Sequence, residues 1–136
     1  AGGNKLLPAF GPERTTVQTR IALIDGIMDA AVLIVYEGRL RPEGMQVQSV
    51  LDYQRGKIER SLAYLESQAL RYDKGNNPDA ADIGLACLLD YLDLRQAFDW
   101  QLVAPSLVNW ITDFATSVSG YKETLPEGIT DAPWRS

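Results

Sequence analysis

Asn77-Pro-Asp-Ala-Ala-Asp-Ile-Gly-Leu-Ala-Cys-Leu-Leu-Asp-Tyr-Leu-Asp-Leu-Arg95 reads as a helix with an acidic cap and almost no polar face. Asp79 stands at the N-cap position and Asp82 three residues later at N3, an acidic variant of the capping box. Pro78 and Ile83 occupy the positions of a hydrophobic staple. A cap of this kind contributes roughly 0.5–2 kcal/mol, which gives Asp79 and Asp82 a structural reading; neither has a catalytic partner in the sequence. Behind the cap, Ile83, Leu85, Ala86, Cys87, Leu88, Leu89, Tyr91, Leu92 and Leu94 surround the axis. A surface helix shows one apolar stripe, so this segment, about 80 to 96, is predicted to be enclosed by others.

Helical periodicity continues on both sides. A first helix is predicted from Pro12 or Glu13, where Pro suits the opening turn and Glu the positive end of the dipole. Its stripe is Val17, Ile21, Ile24, Ile27, Met28, Ala31 and Val35, and Gly38, Arg39, Arg41 and Pro42 break it. A second helix runs from about 46 to 69 on the stripe Val47, Leu51, Gln54, Ile58, Leu62, Leu65 and Ala69, a near-heptad spacing that suits an antiparallel neighbour. Gly75-Asn-Asn-Pro78 marks a turn. Phe98-Asp-Trp100 reads as a short connection, and Pro105 starts a helix that runs through Trp110 and Phe114 to Ser119-Gly120. The tail from 125 to 136 has no periodicity. With no strand pattern, the fold class is all-α: about five helices around a buried central one.

Composition narrows the function. The 136 residues suit one domain, and 46% hydrophobic with 23% charged residues is ordinary for a globular chain. A formal charge of −5 with dispersed basic residues argues against nucleic acid and anionic membrane surfaces. No apolar run approaches the roughly 20 residues of a membrane span. The absence of histidine removes imidazole bases, Ser-His and Cys-His pairs and the usual zinc sites. Gly38, Gly44 and Gly56 have no phosphate-binding spacing. No metal or nucleotide site is expected. The single cysteine fits a reducing, cytoplasmic setting, and Cys87, mid-run in the most apolar helix, reads as an inert core residue. Trp100 and Trp110 read as packing residues, and Trp134 as a cover for a pocket or an interface.

The order of elements, with Ala22-Leu-Ile-Asp25-Gly26-Ile-Met-Asp29-Ala-Ala, Tyr53-Gln-Arg-Gly-Lys-Ile-Glu-Arg-Ser-Leu-Ala-Tyr-Leu-Glu66 and Asp79-Ala-Ala-Asp82, resembles the C-terminal helical domain of bacterial glutathione S-transferases over roughly residues 6 to 126. Family members usually cap the buried helix with Ser or Thr where this chain has Asp79. The resemblance implies that 1–12 is a linker remnant, that 13–136 is the helical domain, and that an N-terminal thioredoxin-like domain precedes it in a longer protein. That domain would hold most of the glutathione site and the thiolate-activating residue, so no catalytic residue is expected in this chain, which alone should be inactive.

Asp25 and Asp29, at i and i+4, read either as a solvated or dimer-facing patch or, by resemblance for Asp29, as a carboxylate reaching across a homodimer to the glutathione amino group. The resemblance also places Val32, Val35, Tyr36 and Arg39 in the pocket for a hydrophobic electrophile, beside the alternative of plain packing. The face toward the missing domain should be apolar and favour self-association. The function implied is conjugation of glutathione to hydrophobic electrophiles, a detoxifying chemistry. The alternative is a non-enzymatic interaction module built on the same helical fold.

Overall fold

The computed structural model describes residues 6–127. Five α-helices follow in order among them: α1 Gly11–Leu40, α2 Gln48–Ser67, α3 Ala80–Arg95, α4 Trp100–Val103 and α5 Ser106–Ser117. Short 3₁₀ turns lie at Glu43–Met45 and Lys122–Thr124, and the described residues contain no named β-strand. The sequence expectation of a helical domain with about five helices is met. Trp134 and the end of the tail lie outside the described residues.

Each element begins where local chemistry allows it. Gly11 enters α1 at φ +85° and Pro12 fills the opening turn, where its missing N–H costs no helical bond. Arg14 Nη1 donates to the Pro8 carbonyl at 2.8 Å and holds the lead-in against the helix. Val17, Ile24, Ile27, Ala30 and Ala31 form the buried side of α1. On α2 the buried residues are Leu51, Gln54, Ile58, Leu62 and Leu65; Val47 and Ala69, which extend the same spacing, lie beyond the two ends of the helix. α1 packs against both α2 and α3.

The cap of α3 is reciprocal. The Asp82 N–H donates to Asp79 Oδ1 at 2.9 Å, and the Asp79 N–H donates to Asp82 Oδ2 at 3.1 Å. A further orphan donor of the opening turn, the Ala80 N–H, reaches the Leu6 carbonyl at 2.8 Å and ties the lead-in to the cap. Burial raises the Asp82 pKa, with the neighbouring Asp79 charge adding to the effect; the bond from the Asp79 N–H and the Arg20 charge act in the opposite direction.

Ala81, Leu85, Ala86, Leu88, Leu89 and Leu92 carry α3 into the core. Trp100 is fully buried and donates its indole N–H to Asp93 at 2.8 Å. The connection predicted at Phe98-Asp-Trp100 therefore ends in the first residue of α4. Glu66, at the end of α2, accepts from both the backbone N–H and the hydroxyl of Ser106, at 3.0 and 2.7 Å. That bond fills the opening turn of α5, which has no side-chain cap of its own.

The enclosure of α3 is incomplete, and here the sequence expectation is corrected. Ile83 is 40% exposed and Cys87 is exposed, so Cys87 is not a core residue. A helix that is apolar all round needs apolar surroundings, but the described fold covers only part of its circumference.

Removal of the cap by Asp79→Ala is expected to lower stability by about 1 kcal/mol, read as a fall of roughly 3–5 °C in Tm. Because the folded-state pKa of Asp82 lies above its unfolded value, the folded chain takes up this proton first as pH falls. The stability of the unsubstituted chain relative to Asp82→Asn should therefore rise as pH drops through the window just above the ordinary carboxylate range. Denaturant titrations of both chains at successive pH values measure that trend.

Candidate functional site

The uncovered side of α3 forms one wall of a cleft of about 560 Å³. Ile83, Cys87, Asp90, Tyr91 and Leu94 line it, at offsets of 4, 7, 8 and 11 residues from Ile83, which keeps them on one helical stripe. Met28 of α1 forms a second side, and Phe114 with residues 118–121, Thr124 and Pro126 a third. Asp90 is the one charged side chain among these lining residues. The volume falls within the range of small-molecule or side-chain-receiving pockets, and the lining is mostly apolar.

Aromatic packing stiffens the third side. Trp110 and Phe114 stack with centroids 5.2 Å apart. Tyr72 meets Phe114 edge-on at 5.1 Å and Tyr121 meets it edge-on at 5.4 Å. The Tyr121 hydroxyl donates to the Asp90 carboxylate, 2.8 Å from Oδ1 and 3.0 Å from Oδ2. Burial, together with the Asp82 and Asp79 charges, pushes the Tyr72 phenol above its ordinary pKa, which keeps it protonated as the donor to the Asn76 carbonyl at 2.9 Å.

Cys87 sits on the cleft wall with its thiol pKa raised. Desolvation is the larger cause and the nearby Asp90 charge the second. The thiol is reachable yet mostly un-ionised, the reverse of an activated nucleophile. Among the described residues no group of three or more His, Cys, Asp or Glu comes together to hold a metal, and no helix is long and apolar enough to cross a membrane.

Val32, Val35 and Arg39 continue from Met28 at offsets of 4, 7 and 11, so one stripe of α1 leads out of the cleft toward the helix end. Val35 packs against the core, Val32 is half-buried, Tyr36 is 48% exposed and Arg39 is exposed. Asp25 and Asp29 are exposed; Asp25, three residues before Met28, borders the same stripe, and Asp29 lies about 100° round the helix from Met28. Asp79 and Asp82 sit in the cap. The pattern Ile83, Cys87, Asp90/Tyr91, Leu94 is the signal that could have located the cleft in the sequence, since it gives an otherwise apolar helix one stripe with a carboxylate in its middle.

The family model "Glutathione S-transferase, C-terminal domain" matches residues 22–113, which takes in most of α1 and α5 and everything between. The chain belongs to the glutathione S-transferase family. It is 38% identical over 127 residues to the uncharacterised GST-like protein YibF of Escherichia coli K12, a match over 90% of this chain and 61% of that protein. A glutathione S-transferase from Methylobacillus flagellatus KT, crystallised with glutathione bound, has a similar fold at TM-score 0.76 and 37% identity, covering 89% of this chain and 60% of that one. A glutathione transferase family member from Pseudomonas fluorescens Pf-5, also with bound glutathione, gives a TM-score of 0.71 at 35% identity, covering 98% and 58%. The chain thus spans about three-fifths of the length of these relatives.

In this glutathione S-transferase domain Cys87 should react slowly with iodoacetamide at neutral pH despite its exposure. Its rate should keep rising with pH beyond the point where a small-molecule thiol of ordinary pKa has levelled off. Alkylation rates across a pH series, followed by mass spectrometry, check this.

Proposed function

We propose that this chain is the helical half of a glutathione transferase that adds the glutathione thiolate to hydrophobic electrophiles. The observation that carries the reading is its 37% and 35% identity to family structures that hold glutathione, over a region that includes the cleft. In the reaction the thiolate sulfur forms a bond to an electrophilic carbon, and the leaving group, or the electron pair of an activated double bond, accepts the displaced electrons. This chain has no imidazole, and its one thiol is held protonated by its surroundings. The family resemblance, rather than these residues, assigns activation of glutathione to the remainder of a longer polypeptide.

The cleft is read as the seat of that remainder. It leaves Ile83 and Cys87 uncovered on the central helix, an apolar exposure that a packed partner would remove. The stripe Val32, Val35 and Arg39, with Tyr36 beside it, would then face the reacting centre as the electrophile wall: two aliphatic side chains for apolar contact, a phenol and a guanidinium for polar substituents. Leu33 and Leu40 on α1 and Val47, Val50 and Tyr53 at the start of α2 are exposed apolar residues, and they support a homodimer through the α1–α2 side. Asp29 lies one turn before Leu33 on the exposed part of α1, where it can meet the ammonium of a glutathione bound by the partner copy. A cytoplasmic homodimer acting in detoxification is the setting proposed for it.

Three measurements test the reading. With glutathione and a chlorinated nitroaromatic, the 136-residue chain alone should give no rate above background, whereas the longer polypeptide should conjugate them. In that longer protein Asp29→Ala should raise KM for glutathione about tenfold with little change in kcat, the loss of one charge-assisted contact. A longer polypeptide that folds and dimerises without binding glutathione would instead identify an interaction module. Sedimentation of this chain at several concentrations should show self-association that Leu33→Glu with Val50→Glu weakens at least tenfold; a monomer at every concentration would oppose the proposed dimer face.

A further inference from the structure

Residues 118–126 leave the end of α5 and turn back along α3, and most of them line the cleft. The Val118 N–H bonds to Phe114 O at 2.9 Å, Gly120 turns the chain at φ +83°, and Thr124 closes the following 3₁₀ turn on the Tyr121 carbonyl through both its N–H and its hydroxyl. Between these local turns the Tyr121 side chain reaches across to α3. Its hydroxyl meets the Asp90 carboxylate, and each residue is only 8% exposed.

A carboxylate buried in the middle of an apolar helix is a costly way to gain stability. An apolar pair of similar volume commonly serves as well or better. What a buried, directional bond adds is a fixed geometry, because it is satisfied in one arrangement and costly to leave unmade. The arrangement it fixes here is the distance between the third wall of the cleft and the α3 wall.

We propose that Tyr121 and Asp90 form a positioning latch, which holds residues 118–126 against α3 and so sets the width of the cleft that receives the rest of the polypeptide. The statement about what the cleft receives rests on the function proposed above; the latch itself does not. Met28 lies in the same cleft and heads the Val32–Val35–Arg39 stripe, so the latch also sets how closely a seated element approaches the proposed electrophile wall.

Cys87, the one thiol of the chain, lies in the same lining as both latch residues and is a native reporter of cleft width. The rate of its reaction with a bulky pyrene maleimide, divided by its rate with iodoacetamide, cancels changes in thiolate fraction and reads steric access. Loss of a hydrogen bond to a charged group shifts an opening equilibrium by roughly tenfold or more. Tyr121→Phe should raise the ratio about tenfold and weaken binding of Nile red, a neutral apolar probe, at least threefold. Asp90→Asn, which keeps an acceptor, should stay within twofold of the unsubstituted chain in both. The double variant Asp90→Leu with Tyr121→Phe should behave as Tyr121→Phe does, and it provides the comparison if the single variant does not fold. A ratio and a dye affinity within twofold of the unsubstituted chain in the folded Tyr121→Phe or double variant, whatever happens to Tm, would reduce the pair to a structural contact and overturn the latch. None of these readouts uses glutathione or the longer polypeptide, so an inactive longer protein would count against the proposed function and leave the latch standing.

Discussion

The start of α3 depends on two carboxylates that ought to repel. Asp79 and Asp82 each accept the other's backbone N–H, and these bonds satisfy donors that an apolar helix end cannot leave bare. The raised pKa of Asp82 records the cost of placing a second charge in a partly buried corner, and Arg20 on α1 offsets some of it. Because α3 is the element against which α1 packs and from which α4 continues, a displaced first turn would shift the register of Leu85, Leu88, Leu89 and Leu92 together. The Ala80 bond to Leu6 adds the lead-in to the same corner, so chain entry and the central helix are fixed at one place.

Much of this was legible in the sequence because the signals are local. Capping chemistry at Asp79, the three-and-four spacing of Val17 through Val35, and the Pro105 break each act within one or two turns, and the helices fall close to where those signals put them. The α1 start at Gly11 and the shorter span of α2 differ only at the ends, where fraying and turn geometry decide. The cleft was not legible. Apolar residues on every side of α3 report that the helix avoids water, but not whether the cover comes from these 136 residues or from another body. On that ground the sequence places Cys87 in the core, and its exposure shows where the inference from hydrophobicity to burial within this chain fails. Tyr121 gave no signal either, since its partner lies thirty-one residues away and no periodicity connects them.

The candidate site divides in the same way. Val32, Val35, Tyr36, Arg39 and Asp29 came from resemblance, and the fold sets them on helical faces without bringing them to one point. Met28, Asp90, Phe114 and Tyr121 came from three-dimensional packing and do converge. The stripe shared by Met28, Val32 and Val35 is what joins the two sets. Met28 lines the cleft and also begins the α1 stripe, so the two sets meet at that residue.

The reach of Glu66 to Ser106 has a wider consequence. Through its carboxylate the far end of α2 is tethered to the helix that carries Phe114 and leads into the cleft wall, while the near end of α2 presents Val47, Val50 and Tyr53 to solvent. A helix of twenty residues therefore has an exposed apolar end at one tip and a bond to the start of α5 at the other. A tilt of α2 at the first tip would strain the Glu66–Ser106 bonds at the second, so α2 and the start of α5 are coupled in position.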